Sequence, residues 1–196
     1  ASPRTRWLEA AGIPFSAGHD PAHLAGTDLV VVTLAVPEAN AELAEARRRG
    51  IPVSRRGEVL AALVNESRGV AVCGTHGKTT TSTFTTRLLA RLGARPGWCI
   101  GGETKSLGGV ASAPAPGGLL VVEADESDGT LALYRPEVLV LNAVDLDHLE
   151  HFKNIEAYFD CYRKAVAATT GTVVVCRDHA AAFKIATEAA RAPVRS

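Results

Sequence analysis

Short apolar runs alternate with amphipathic or polar segments along this chain of 196 residues. The runs are rich in Val and Leu and have the length of buried strands, whereas the segments between them repeat apolar residues at helical spacing. Strands are predicted over 28–33, 51–54, 69–73, 98–100, 119–122, 138–141 and 172–175, and helices over 38–49, 58–64, 79–92 and 155–167. Because strands alternate with helices, the sequence predicts an α/β fold with parallel sheets.

Side-chain spacing adds detail to two of the predicted helices. In helix 38–49, Glu45 and Arg49 are spaced for an i,i+4 ion pair, and Gly50 follows the last helical residue. Helix 79–92 carries Phe84, Leu88 and Leu92 at helical spacing. Its first turn is rich in Thr, which has a low helix propensity, so another interaction is needed to favour a helix there.

Composition and charge narrow the class of protein. Hydrophobic residues make up 46% of the chain, the formal net charge is zero and the pI is about 7.2. We therefore expect no nucleic-acid partner and no attraction to an anionic membrane. No apolar run reaches the length of a membrane span, so the sequence favours a cytoplasmic location. The four cysteines form no CxxC pair, and the apolar neighbours of Cys73, Cys99 and Cys176 indicate buried thiols.

The sequence also suggests how the chain is divided. A polar break at 65–68 separates an expected N-terminal domain, 1–66, from a second domain, 67–196. The chain begins with Ala1 and contains no Met, so we expect it to be part of a longer polypeptide. Function is then expected to need parts outside residues 1–196.

The segment from Gly74 to Thr80 has the features of a phosphate-binding loop. It reads Gly-Thr-His-Gly-Lys-Thr-Thr, follows the predicted strand 69–73 and precedes helix 79–92. In such loops backbone N–H groups and the positive end of the helix bind an anion. Lys78 is expected to reach the outer phosphates and Thr79 to bind Mg²⁺. The spacing departs from the usual loop, since Val72 stands where the first glycine is expected, and an ordinary glycine turn is the alternative.

Two more polar segments follow predicted strands. The acidic turn 123–128 follows strand 119–122, and 142–148 follows strand 138–141. Ligands of parallel sheets bind at the carboxyl ends of the strands, so both segments are expected beside the phosphate loop. Glu123 comes first off its strand and is the expected ligand of the Mg²⁺ that ATP carries, although acidic turns are often only solvated. Asn142 is expected at the nucleotide.

The run 145–151 places carboxylates and imidazoles close together. A second divalent ion, Mg²⁺ or Mn²⁺, could bridge Glu123 and His148, because imidazole binds these ions weakly when oxygens supply the other ligands. A surface loop that leads into a helix is the alternative for His148, and it is the preferred interpretation of His151. His76, inside the phosphate loop, either shapes the turn or contacts the substrate.

With these motifs in view, the chain resembles the Mur ligases, the ATP-dependent amide-forming enzymes of bacterial cell-wall synthesis. The specific segments are GTHGKTTT (74–81), EADESD (123–128) and DLDHLEHF (145–152). The histidine in the loop together with EADESD points to the alanine-adding branch, with murein tripeptide recycling ligases as the nearest rival. The resemblance implies a partial Rossmann-like N-terminal domain, followed by an incomplete, P-loop-containing, parallel-sheet central ATPase domain. It also implies that the C-terminal domain of the family is absent here, so residues 1–196 alone are expected to bind ATP weakly and to be catalytically inactive.

The resemblance also implies roles for residues. Lys78 binds the ATP phosphates, Thr79 and Glu123 hold one Mg²⁺, and Glu123 with His148 holds a second divalent ion. The nucleotide-binding set is Gly74, Thr75, His76, Gly77, Lys78, Thr79, Thr80 and Asn142. The catalytic set is Lys78, Glu123 and His148. Lys105 and His76 are expected substrate contacts, although a solvated lysine is the alternative for Lys105.

The reaction implied is phosphorylation of the lactyl carboxylate of UDP-N-acetylmuramate by ATP, followed by attack of the amine of L-alanine on the acyl phosphate. UDP-N-acetylmuramate and L-alanine are therefore the expected partners, together with the missing domains of the parent chain. Two other functions stay open. One is a P-loop kinase or ATPase that forms no amide, and the other is a nucleotide-binding module without catalysis.

Overall fold

The computed structural model describes residues 3–146, 152 and 154–196, without the side chains of residues 3, 4, 103–105 and 110. The chain forms two compact units, Ala1–Val59 and Leu60–Ser196. Among the described residues, no helix is both long and apolar enough to span a membrane.

The first unit contains helix α1 (Pro3–Ala10), strand β1 (Val30–Val32), helix α2 (Ala41–Arg49) and strand β2 (Val53–Arg55). Strands β1 and β2 pair in parallel. Helix α2 begins three residues later than predicted because the side chain of Asn40 accepts hydrogen bonds from the N–H groups of Glu42 and Leu43. The predicted end at Gly50 is confirmed, with φ 69°, as is the Glu45–Arg49 ion pair at 2.6 Å.

Helix α3 (Arg56–Asn65) leads into the second unit, whose elements follow in chain order. They are β3 (Arg68–Cys73), α4 (Lys78–Arg91), β4 (Gly97–Thr104), β5 (Gly109–Ser112), β6 (Leu119–Glu123), β7 (Val138–Leu141), α5 (Ile155–Ala168), β8 (Thr172–Val175), α6 (Ala180–Ala189) and β9 (Val194–Arg195). The order in the sheet is β5-β4-β6-β3-β7-β8-β9. All neighbours are parallel except β4 and β5, so the predicted α/β fold with a parallel sheet is confirmed.

The core of the second unit lies between the sheet and helices α5 and α6. It is built from the aliphatic side chains of β3, β6, β7 and β8 together with three buried tyrosines, Tyr134, Tyr158 and Tyr162. Tyr158 packs edge-to-face against Tyr162, with ring centroids 5.3 Å apart. Both tyrosines belong to α5, so this side of the helix faces the core.

The apolar stripe of α4 faces solvent. Phe84, Leu88 and Leu92 are 75%, 56% and 75% exposed, whereas the buried positions of this helix are Ser82 and Thr86. The spacing of these apolar residues correctly predicts a helix, but it does not predict which side of the helix is buried. Small hydroxyl-bearing residues let α4 approach the sheet, and the hydroxyl of Thr86 donates to the carbonyl of Ser82 at 2.8 Å.

Two other expectations are corrected. Cys176 is exposed and Cys99 only partly buried, while Cys73 and Cys161 are buried in the core; all four are free thiols. Burial raises the pKa of Cys161 to about 12.

Candidate functional site

Three loops meet at the carboxyl edge of the strands β6, β3 and β7, which are adjacent in the sheet. Backbone hydrogen bonds join them: Asn142 N–H donates to the Cys73 carbonyl at 3.1 Å, Thr75 N–H to the Ala143 carbonyl at 2.8 Å, and Ala124 N–H to the Val72 carbonyl at 2.9 Å. The predicted convergence of the phosphate loop with the segments after β6 and β7 is confirmed by this topology.

Two glycines shape the loop between β3 and α4. Gly74 has φ 126°, and a Cβ atom there would lie 2.7 Å from the carbonyl oxygen of Ala143. Gly77 has φ 81° and precedes the first residue of α4, with no side chain capping the helix. The N–H groups of the first turn have no partner within the helix, so this N-terminus offers donors and a positive potential to an anion.

Lys78 folds back over the loop that precedes it. Its ammonium donates to the carbonyl of Gly74 at 2.8 Å and to both carboxylate oxygens of Glu126 at 3.0 and 3.1 Å. Its side chain is 13% exposed, whereas that of Glu126 is fully buried. The positive charge therefore lies at the rim of the loop with its counterion on the inner side.

Thr79 and Glu123 form the second polar contact of the site. The Thr79 hydroxyl lies 3.0 Å from each carboxylate oxygen of Glu123, and one of these oxygens accepts the N–H of Gly101 at 2.9 Å. A Cβ atom on Gly102 would lie 2.8 Å from the methyl of Thr79. The glycine pair in β4 therefore allows the strand to pass close to this contact.

A hydroxyl next to a carboxylate is an oxygen donor set that fits Mg²⁺, which takes few protein ligands and completes its shell with water and phosphate. Within the ranges that the structure describes, no three His, Cys, Asp or Glu side chains cluster as a metal site. Thr79 and Glu123 are the residues of this site that could hold a divalent cation.

Thr75 anchors the loop to helix α5. Its hydroxyl accepts the N–H of Asp145 at 2.9 Å and lies 3.1 Å from the hydroxyl of Tyr158. Tyr158 in turn donates to the carbonyl of Asp145 at 2.8 Å and lies 3.1 Å from the hydroxyl of Tyr162. Thr75 is buried, and these contacts fix the phosphate loop on the side that faces the protein interior.

The other predicted residues of the loop differ in exposure. The His76 side chain is 70% exposed, with Nε2 3.9 Å from a carboxylate oxygen of Asp145, and Thr80 is also exposed. The Asn142 amide donates to the Thr81 hydroxyl at 3.1 Å and to the His76 carbonyl at 3.4 Å. Asn142 thus lies against the loop, and its expected contact with a nucleotide stays a prediction.

Two predicted site residues fall wholly or partly outside the described part of the chain. His148 lies outside the described residues, as does the side chain of Lys105, whose backbone begins a short 3₁₀ turn. The expected second cation at Glu123 and His148 and the expected substrate contact of Lys105 both stay predictions.

Glu126 and Tyr158 belong to the site but were not predicted from the sequence as site residues. Burial raises the pKa of Glu126, and the charge of Lys78 opposes that rise. Glu126 lies in the acidic turn three residues after Glu123, but a cluster of carboxylates does not show which one points inward. Tyr158 is one of several apolar or aromatic residues of α5, and its hydroxyl contact requires the tertiary structure.

The sequence of the chain is similar to those of known proteins. Residues 1–68 match the Mur ligase family, catalytic domain, and residues 72–196 match the Mur ligase middle domain. The UDP-N-acetylmuramate–L-alanine ligase of Acidothermus cellulolyticus is 42% identical over 186 residues, which cover 94% of this chain and 39% of that protein. The chain thus spans about 39% of the length of this curated relative.

Two solved structures are similar over nearly the whole chain. The UDP-N-acetylmuramate:L-alanyl-γ-D-glutamyl-meso-diaminopimelate ligase from Neisseria meningitides gives a TM-score of 0.86 at 26% identity, covering 100% of this chain and 66% of that one. The UDP-N-acetylmuramate-alanine ligase from Thermotoga maritima gives 0.78 at 27% identity, covering 92% and 42%. The resemblance noted in the three motifs is confirmed, and the chain belongs to the Mur ligase family.

Proposed function

We propose that the polypeptide containing this chain is an ATP-dependent ligase that joins L-alanine to UDP-N-acetylmuramate in the cytoplasm. The observation that carries the ATP-dependent part is the contact of Thr79 with Glu123, 3.0 Å long, beside an uncapped helix N-terminus and Lys78. The choice of substrates rests on the 42% identity to a ligase with these substrates.

The phosphate loop binds the triphosphate in this proposal. The N–H groups at the start of α4 bind phosphate oxygens, and Lys78 neutralises charge on the outer phosphates. Thr79 and Glu123 would hold a Mg²⁺ ion, which supplies Lewis-acid stabilisation of the transferring phosphoryl group. We propose His148, with Glu123, for a second divalent ion, and His76 and Lys105 for contacts with the substrate.

The chemistry proceeds in two balanced steps. A carboxylate oxygen of the sugar substrate attacks the γ-phosphorus, the bond to ADP breaks, and an acyl phosphate forms. The neutral amine of L-alanine then attacks the acyl carbon, inorganic phosphate leaves with the C–O bond electrons, and the nitrogen loses a proton. The protein supplies no nucleophile; Lys78 and the loop N–H groups orient the phosphates and stabilise their charge.

The first unit has a groove suited to part of a sugar nucleotide. It has a volume of about 640 Å³ and lies where β1 and β2 end, with Val32, Thr33, Ser54 and Arg55 in its wall. Ligands of parallel α/β units bind at the carboxyl ends of strands, so we propose this groove for the UDP portion. This proposal agrees with an N-terminal substrate domain over 1–66 and a central ATP-binding domain over 67–196.

A tripeptide-adding ligase is the second candidate. The structure of such an enzyme from Neisseria meningitides covers the whole chain with a TM-score of 0.86, which is higher than the 0.78 of the alanine ligase from Thermotoga maritima. The two candidates share ATP and the muramate substrate and differ only in the amine.

One assay separates the candidates. The intact polypeptide is incubated with ATP, Mg²⁺, UDP-N-acetylmuramate and either L-alanine or L-alanyl-γ-D-glutamyl-meso-diaminopimelate, and phosphate release and product mass are followed. We expect amide product with L-alanine. Product with the tripeptide alone would favour the recycling ligase, and phosphate release without any amide would indicate an ATPase.

A further inference from the structure

The fully buried Glu126 provides the counterion of Lys78. Both oxygens of its carboxylate lie within 3.1 Å of the Lys78 ammonium, which also donates to the carbonyl of Gly74. Two different partners, one of them charged, therefore fix the end of a long flexible side chain.

The surroundings of Glu126 would not hold a carboxylate without that partner. Burial is the main reason that the pKa values of the Cys73 thiol and the Tyr162 hydroxyl are raised, and the charge of Glu126 raises both further; Asp125 adds negative charge near Glu126. Burial disfavours the ionised form of Glu126, and Lys78 is the group that offsets it. Removing either partner of such a buried pair leaves an uncompensated charge, so Glu126 and Lys78 hold each other in place.

The position of the pair relative to the loop suggests that function. Glu126 approaches the ammonium from the protein interior and Gly74 from the loop backbone, whereas the exposed 13% of Lys78 faces outward. An ammonium group has three donors and a freely rotating stem. If one N–H is shared between the two oxygens of Glu126 and a second donates to Gly74, the third N–H is left for a phosphate oxygen on the exposed side.

We propose that Glu126 is a positioning residue, which holds the Lys78 ammonium against Gly74 so that it faces the outer phosphates before ATP binds. This inference rests on the proposed function, because it assumes that the loop binds ATP. Ordering Lys78 in advance removes an entropic penalty from nucleotide binding, and the gain is confined to nucleotides that possess outer phosphates.

The test compares nucleotides with and without those phosphates. In the intact polypeptide, Glu126→Gln keeps the size of the side chain and removes its charge, while Glu126→Asp keeps the charge but is one methylene too short to reach Lys78. We expect each to weaken Mg²⁺–ATP binding by about tenfold and to leave AMP binding unchanged. Glu137→Gln is the matched control, because it removes a surface carboxylate paired with Arg68 at the opposite edge of the sheet.

A double-variant cycle shows whether the effect passes through Lys78. If it does, Glu126→Gln causes no further loss of ATP affinity in a Lys78→Met background. Equal losses for ATP and AMP, or fully additive losses, would assign Glu126 a structural role only. Unchanged or tighter ATP binding would also overturn the inference, since it is the result expected from simply removing a negative charge near a triphosphate.

The two proposals fail in different ways. If the parent protein binds no ATP, the proposed function fails and the role of Glu126 fails with it. If the parent binds ATP and Lys78→Met weakens that binding but neither Glu126 variant does, only the positioning role is wrong. Should Glu126→Gln not fold, as thermal unfolding would show, Glu126→Asp alone decides between these outcomes.

Discussion

The hydroxyl of Thr79 lies 3.0 Å from both carboxylate oxygens of Glu123, although 44 residues separate them along the chain. Thr79 is the second residue of helix α4 and Glu123 ends strand β6, so the contact joins the phosphate loop to the acidic turn. Because β6 and β3 are parallel neighbours, the contact depends on the register of the central sheet.

Replacement of Glu123 by alanine is expected to remove the Mg²⁺ dependence of ATP binding. The variant loses the only carboxylate that touches Thr79 among the described residues, and the loss of a metal ligand lowers metal affinity by on the order of tenfold or more. Mg²⁺ titrations of ATP binding measure the effect, with Glu137→Ala as control. Superimposable titrations of the variant and the parent would contradict the assignment.

The sequence was sufficient to predict this pair. Leu119–Val122 and Val70–Cys73 are apolar runs typical of buried parallel strands, and the ends of such strands meet at one edge. The polar residues after each run were therefore expected together. The pairing of Lys78 with Glu126 was not predictable in this way, because a six-residue turn with four carboxylates does not show which side chain turns into the core.

The buried side of α4 was also not predictable from the sequence. Phe84, Leu88 and Leu92 have the spacing of a buried face, yet the inner side of the helix carries Ser82 and Thr86. Periodicity measures contrast between faces, and here close packing against the sheet required small side chains rather than apolar ones. Which side chains of α4 are buried depends on the distance between the helix and the sheet, and the sequence of the helix alone does not give that distance.

Replacement of Lys78 by methionine is expected to weaken ATP binding strongly and to destabilise the fold by about 3 kcal/mol, because Glu126 loses its buried counterion. Without Lys78 the effect of burial is unopposed, so the pKa of Glu126 rises further. The folded protein then binds a proton more tightly than the unfolded chain, and its stability falls as the pH rises from the ordinary glutamate pKa, about 4.3, toward the raised value.

Denaturant unfolding of Lys78→Met at several pH values tests this expectation. The double variant Lys78→Met with Glu126→Gln removes the unpaired charge and should recover most of the lost stability at neutral pH, without recovering ATP binding. A double variant no more stable than Lys78→Met would show that the buried charge is not the cause.

Replacement of Tyr158 by phenylalanine is expected to loosen the phosphate loop from α5. The hydroxyl contacts Thr75, Asp145 and Tyr162 at 3.1, 2.8 and 3.1 Å, and its removal breaks all three contacts, although the Thr75 hydroxyl keeps its contacts with the N–H and the carbonyl of Asp145. We expect a loss of about 1–2 kcal/mol in unfolding free energy and weaker ATP binding. Tyr162→Phe is the matched control, since it leaves the contact of Tyr158 with Thr75 in place. Equal ATP affinities for the two variants would rule out a role of Tyr158 in shaping the loop.

Replacement of Gly102 by alanine is expected to disturb the contact of Thr79 with Glu123 from the side of β4. The new methyl would lie 2.8 Å from the Thr79 methyl, too close for two carbon atoms, so one of the two segments has to move. Gly101→Ala is the neighbouring control, because its methyl would lie 3.4 Å from a Glu123 oxygen, which needs a much smaller adjustment. We therefore expect Gly102→Ala to weaken Mg²⁺–ATP binding more than Gly101→Ala, by about tenfold, as measured by titration calorimetry. If the ranking is reversed, Thr79 is not held in place by close approach of β4, and the conformation of the loop depends on α5 and Thr75 instead.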